Sequence, residues 1–129
     1  EMPSLSPKAK TAGGRVPNSK GNWGVWLSEA AAALRGERVV AREVTIDTQS
    51  GTRVRVDLVT RTLSGTLRFI EAKFGPSAGF TDTQRVGYPE IAQHGGTVAG
   101  GNGAGAGLPA GTQLGATQVQ VDTWNGANL

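Results

Sequence analysis

The chain has 129 residues, with 20 glycines, three Trp, three Phe, one Tyr and no cysteine, and carries a net charge of +3. That length fits one domain with a single core, and the lack of cysteine excludes a disulfide framework, thiolate metal sites and cysteine nucleophiles. No stretch approaches the ~18 apolar residues of a membrane span and no signal-peptide core is present, so any export address would belong to a larger parent chain.

Residues 1–21, rich in Pro, Ser, Gly and Lys, read as a linker or N-terminal arm ahead of a domain over 22–129. Asn22 is a candidate N-cap for a helix from Trp23 to about Arg35, ended by Gly36, with Trp23, Leu27, Ala30 and Leu34 on one face. Three strands are predicted next: Val39–Asp47, Thr52–Arg61 and Thr66–Phe74. The turns TQSG and SG between them argue for an antiparallel meander.

A second helix is predicted from Thr81 or Asp82, with Pro89 kinking it or starting a short new one. His94, before Gly95, suits a helix C-terminus. Residues 95–111 hold eight glycines in 17 positions and read as a flexible or irregular loop, because such a run loses too much backbone entropy to make an ordinary helix or strand. The run lacks the Lys-Ser/Thr ending of a phosphate-cradling loop. Thr117–Trp124 alternates and reads as a last strand. The order helix-strand-strand-strand-helix-strand predicts an α/β (α+β) domain: a mixed, twisted sheet flanked by helices.

Charge is segregated. All 13 Lys and Arg lie at or before Arg85, whereas beyond it there are two acids, Glu90 and Asp122, and no base. A basic body suits a polyanion such as nucleic acid, and a solvated basic surface accounts for it equally well.

The residues with chemistry lie on the second and third predicted strands. Asp57 alternates against Val54, Val56 and Leu58, while Glu71 and Lys73 share one parity. Pairing of these strands as a hairpin would gather Asp57, Glu71 and Lys73 at one point. Two converging carboxylates offer oxygen ligands to Mg²⁺ or Mn²⁺, and a neighbouring lysine can activate a water and stabilise developing negative charge. Arg53 and Arg55, with the parity of Asp57, are expected to line the same groove and meet phosphates, and Arg85, nearby in sequence, is the third nucleic-acid-binding candidate; Arg68 falls on the far face. Ordinary cross-strand charges are the competing explanation for Glu71 and Lys73.

The string Asp57-x13-Glu71-Ala72-Lys73 resembles the PD-(D/E)XK nuclease superfamily, whose restriction-endonuclease-like core has the same element order. No proline precedes Asp57, which removes one identifying residue. The resemblance implies a divalent-metal endonuclease with Asp57 and Glu71 as metal ligands, Lys73 on the attacking water, and Glu29 and Gln84 in support. More narrowly, the chain looks like the C-terminal toxin domain of a bacterial contact-dependent or type VI/Rhs-type polymorphic toxin. That context implies delivery by the producing bacterium, action in the target-cell cytoplasm, DNA favoured over tRNA or other RNA as substrate, and a cognate immunity protein as partner. A non-catalytic nucleic-acid-binding module on the same fold and a protein-interaction domain are the other readings.

Overall fold

The computed structural model describes residues 20–75 and 79–125, so most of the arm expected over 1–21 lies outside the described residues. Helix α1 (Lys20–Leu34) starts slightly earlier than expected and leads into β1 (Arg38–Asp47), β2 (Arg53–Arg61) and β3 (Leu67–Phe74). Helix α2 (Asp82–His94), β4 (Gly96–Ala99), a 3-10 turn (Ala104–Ala106), β5 (Gln113–Leu114) and β6 (Val119–Trp124) follow. The strands form one six-stranded mixed sheet in the order β5-β4-β1-β2-β3-β6. The β1–β2–β3 meander is antiparallel, and β6 returns parallel to β3. Among the described residues, no helix is long and apolar enough to cross a membrane.

Each helix takes one face of the sheet. On the α1 side the buried stripe is Gly24, Leu27, Ser28, Ala30 and Ala32, whereas Leu34 is 72% exposed and does not join it. Small residues face the sheet because the helix lies close to β3: a Cβ on Gly24 would come 3.2 Å from that of Phe74. Trp23 and Trp26 stay half-buried and pack edge to face at 5.2 Å. At the far end of α1, the buried Glu37 accepts hydrogen bonds from Arg35, Thr60 and Arg68. Arg68 thus lies on the face opposite Glu71, as its parity predicts.

Helix α2 covers the other face, where Tyr88 and Ile91 pack with Val44, Ile46, Val54, Val56, Val59 and Phe69. Its start is a capping box: the Thr81 hydroxyl accepts from the Gln84 amide, and the Gln84 side chain accepts from the Thr81 amide. Pro89 lies inside one continuous helix and neither ends nor restarts it. The proline is exposed, so the lost backbone donor costs one hydrogen bond on the solvent side, while Gly87, Tyr88 and Ile91 anchor the turns around it.

The glycine run is the expected irregular loop over most of its length, with a strand at its start and a short 3-10 turn at Ala104–Ala106. Gly96–Ala99 is β4, paired antiparallel with β1, and β5 extends that edge. Its glycines answer to space. A Cβ on Gly95 would sit 1.9 Å from the Leu114 carbonyl oxygen, on Gly96 2.7 Å from the Ile46 side chain, and on Gly103 2.4 Å from the Leu108 carbonyl oxygen.

Candidate active site at a strand fork

β2 and β3 pair only over Leu58–Arg61 and Leu67–Ile70. Beyond that point they part, β2 staying on β1 and β3 on β6. Asp57 and Glu71 are the first residues past the last pair, one on each prong.

Alternation on β2 breaks at the same place. Val54 lies under α2, since a Cβ on Gly87 would come 2.5 Å from its side chain, and Val56 packs in the same core. Val59 also joins that core and pairs with Phe69, although strict alternation would set it opposite Val56. Leu58 pairs with Ile70, on the α1 side. The neighbouring position of β1 carries the cause: Glu43 has φ 53°, between the pairs Val44↔Val56 and Arg42↔Leu58. A left-handed non-glycine residue there turns both strands and frees Asp57 from the regular pleat.

The freed carboxylate caps the fork. Asp57 Oδ2 accepts from the backbone amide of Ala72 at 2.8 Å, a donor that the parted β2 does not pair. Burial pushes the Asp57 carboxyl up to about 6; the amide of Ala72 opposes this, the Glu71 charge adds to it, and Lys73 and Arg55 pull it down.

Glu71 is 4% exposed and fully engaged. Its Oε1 accepts from the Tyr88 hydroxyl at 2.8 Å, and its Oε2 accepts from Gln84 Nε2 at 2.9 Å and pairs with Lys73 Nζ at 3.1 Å. Lys73 Nζ also donates to Gln84 Oε1 at 2.8 Å, closing a ring of Glu71, Lys73 and Gln84. Gln84 and Tyr88 stand one helical turn apart on α2, so one helix face reads both sides of the carboxylate. Burial and the Glu71 charge raise the Tyr88 phenol far above its ordinary value, so it remains a donor. The hydroxyl also reaches the Arg55 carbonyl at 3.4 Å, across to the β2 prong.

Asp57, Glu71, Lys73 and Gln84 are therefore brought together. Glu29 is engaged elsewhere: it forms a two-pronged ion pair with Arg42 and is not hydrogen-bonded to any of the four. Arg53 does not share the groove, because the break in β2 undoes the parity argument, and it pairs with Asp47 at 2.6 Å. Arg55 faces Glu43 at 3.8 Å, yet its charge still reaches Asp57. Arg85, exposed on α2, pairs with Asp82 at 2.5 Å. His94 is exposed at the end of α2; the nearby Glu90 carboxyl is held below its ordinary range chiefly by the hydrogen bond it accepts from the Ser50 hydroxyl in the β1–β2 turn, with His94 the smallest contributor.

Tyr88 was not among the residues expected at the site. The one available signal was its i+4 spacing from Gln84, which is also how a core tyrosine would be placed.

Among the described residues no group of three or more His, Cys, Asp or Glu converges; the acidic set is the pair Asp57 and Glu71. Asp57 and Glu71 stand one on each prong of the fork, the first raised chiefly by burial and less by the Glu71 charge, and such a pair of oxygen donors fits a hard divalent cation held by one or two carboxylates. No family model matches the chain, and neither a curated protein nor a solved structure matches it.

Proposed function

We propose that the chain is a metal-dependent endonuclease of the PD-(D/E)XK type, with a restriction-endonuclease-like core. The observation that carries this reading is the meeting of Asp57, Glu71 and Lys73 at the fork, with Gln84 bridging the last two. A binding module has no use for two carboxylates where phosphates must approach. A hydrolase does, because Asp57 and Glu71 would hold Mg²⁺ or Mn²⁺, and the metal when bound supplies positive charge to the phosphate.

The chain's own residues divide the remaining work. Lys73 places a cation beside the carboxylates, where it can hold the attacking water and balance charge on the phosphate as the new P–O bond forms and the ester P–O bond breaks. Gln84 positions Lys73 and Glu71 together, and Tyr88 fixes the second Glu71 oxygen. Arg55 is the best-placed of the arginines to meet the phosphate backbone, since its pairing with Glu43 is long and its charge is felt at Asp57. Glu29 has a positioning role only if the Arg42 pair opens.

The role as an antibacterial toxin, delivered by contact-dependent or type VI/Rhs-type systems, acting in the target cytoplasm and neutralised by an immunity protein, rests on the family resemblance. DNA is the favoured substrate on the same ground. The test incubates the chain with plasmid DNA, with single-stranded DNA and with total tRNA, with and without Mg²⁺. Cleavage that needs Mg²⁺, stops with EDTA and is lost in Lys73→Ala and Glu71→Ala is the expected result. Salt-sensitive binding with no cleavage under any metal would leave a nucleic-acid-binding module instead.

A further inference from the structure

The residue beside Lys73 that none of the roles above uses is Phe80. It precedes the capping box of α2 and is 41% exposed, although its ring is held on two sides. The Tyr88 ring meets it edge to face, with centroids 6.0 Å apart and planes at 88°. Lys73 Nζ lies over one face of the ring, 5.6 Å from its centroid, so a base would use the other face. A fixed aromatic ring, partly open to solvent, therefore stands next to the lysine that would meet the phosphate.

We propose that Phe80 is a stacking platform for the nucleobase next to the scissile phosphate, so that the site takes an unpaired nucleotide in single-stranded nucleic acid. This rests on the nuclease reading of the same fork. A base within a continuous duplex has both faces covered by its neighbours, whereas an unpaired base can turn one face onto an aromatic ring. Tyr88 joins the two parts of the site: its hydroxyl holds Glu71 and its ring holds Phe80. Stacking is tolerant of base identity, so this platform confers preference for strandedness rather than for sequence.

The experiment measures binding of the full chain, in EDTA, to labelled oligothymidylate, oligouridylate and a mixed-sequence DNA duplex by fluorescence anisotropy, alongside cleavage in Mg²⁺. Single strands are expected to bind more tightly than the duplex. Phe80→Leu, which keeps an apolar side chain but no ring, should weaken single-strand binding roughly tenfold and leave duplex binding unchanged. Phe80→Tyr should retain it. Thermal melts check that both variants are folded, and the comparison of single strand with duplex in the parent chain carries the test if Phe80→Leu is not. Tighter binding of either sugar keeps the proposal and names the substrate. Single-strand binding in Phe80→Leu equal to that of the parent, or a duplex bound as tightly as a single strand, overturns it. Cleavage independent of Phe80 would sink the stacking role and spare the nuclease reading. Ring-dependent binding with no cleavage in any metal would do the reverse.

Discussion

Glu71 is the residue on which the site turns, and its partners differ in what they would cost to remove. Tyr88 supplies a single neutral hydrogen bond to Oε1, but at a carboxylate 4% exposed to solvent. Tyr88→Phe keeps the ring that packs against Phe80 and the core, and deletes only the donor. Leaving a buried charged acceptor short of one partner costs about 1–3 kcal/mol. The variant should therefore be less stable by that amount in urea denaturation, and slower in any Mg²⁺-dependent cleavage. Gln84→Glu provides the contrast. It keeps the size of the side chain but replaces the amide donor with a second carboxylate facing Glu71. A loss in Tyr88→Phe below about 0.5 kcal/mol would mean that the hydroxyl does not position Glu71.

At the scale of elements, the glycine-rich segment separates into positions that need glycine and positions that do not. Gly95 joins α2 to β4 at φ 73°, and a Cβ there would overlap the Leu114 carbonyl oxygen at 1.9 Å. That clash is with backbone in the sheet, so β5 must move. Gly95→Ala is expected to cost at least about 2 kcal/mol, from clash and from the left-handed backbone together. Gly101 has nothing within 4 Å and no positive φ, so Gly101→Ala should be neutral or slightly stabilising, by up to about 1 kcal/mol. Equal melting temperatures for the two variants would show that the segment is not packed as a sheet edge. The contrast explains what the sequence concealed. Glycine content reads as flexibility when the neighbours are unknown, but the reason for Gly95, Gly96 and Gly103 is contact with Leu114, Ile46 and Leu108, all distant in sequence or folded back. The meander itself was legible, because Val, Thr and Leu alternate and the turns are short. The parity of Arg53 and Arg55 was not, since it depends on a glutamate at positive φ on the neighbouring strand, and glutamate carries no signal for that conformation. Asp57, Glu71 and Lys73 were found because their spacing survives the break: it moves Asp57 off the pleat and toward the gap that Glu71 also faces.

Over the whole molecule, two acids on opposite faces of the sheet pull stability in opposite directions with pH. Glu37, on the α1 side, is lowered from 4.5 to about 2, first by its hydrogen bonds from Arg35, against the cost of burial. Its contribution is fully present above 4.5 and is lost as pH falls toward about 2. Asp57, on the fork, is raised from 3.8 to about 6, first by burial. Below 3.8 both folded and unfolded chains hold that proton and it has no effect; as pH rises to about 6 the unfolded chain ionises more readily, so stability falls through that window and stays reduced above it. The metal-free chain should thus be most stable near the ordinary carboxyl range, between the two limbs. Thermal melts across about pH 2.5 to 8, in EDTA, test this against two variants. Asp57→Asn should flatten the fall between 3.8 and about 6 and leave the acid limb in place. Glu37→Gln should lower stability above 4.5 and flatten the acid limb. Mg²⁺ competes with the proton on Asp57, so its stabilising effect should grow with pH through about 6 in the parent chain and vanish in Asp57→Asn. An upper limb unchanged by Asp57→Asn would mean that the fork carboxylate is not held out of water. A Mg²⁺ effect that is the same at all pH values would place the cation elsewhere on the molecule.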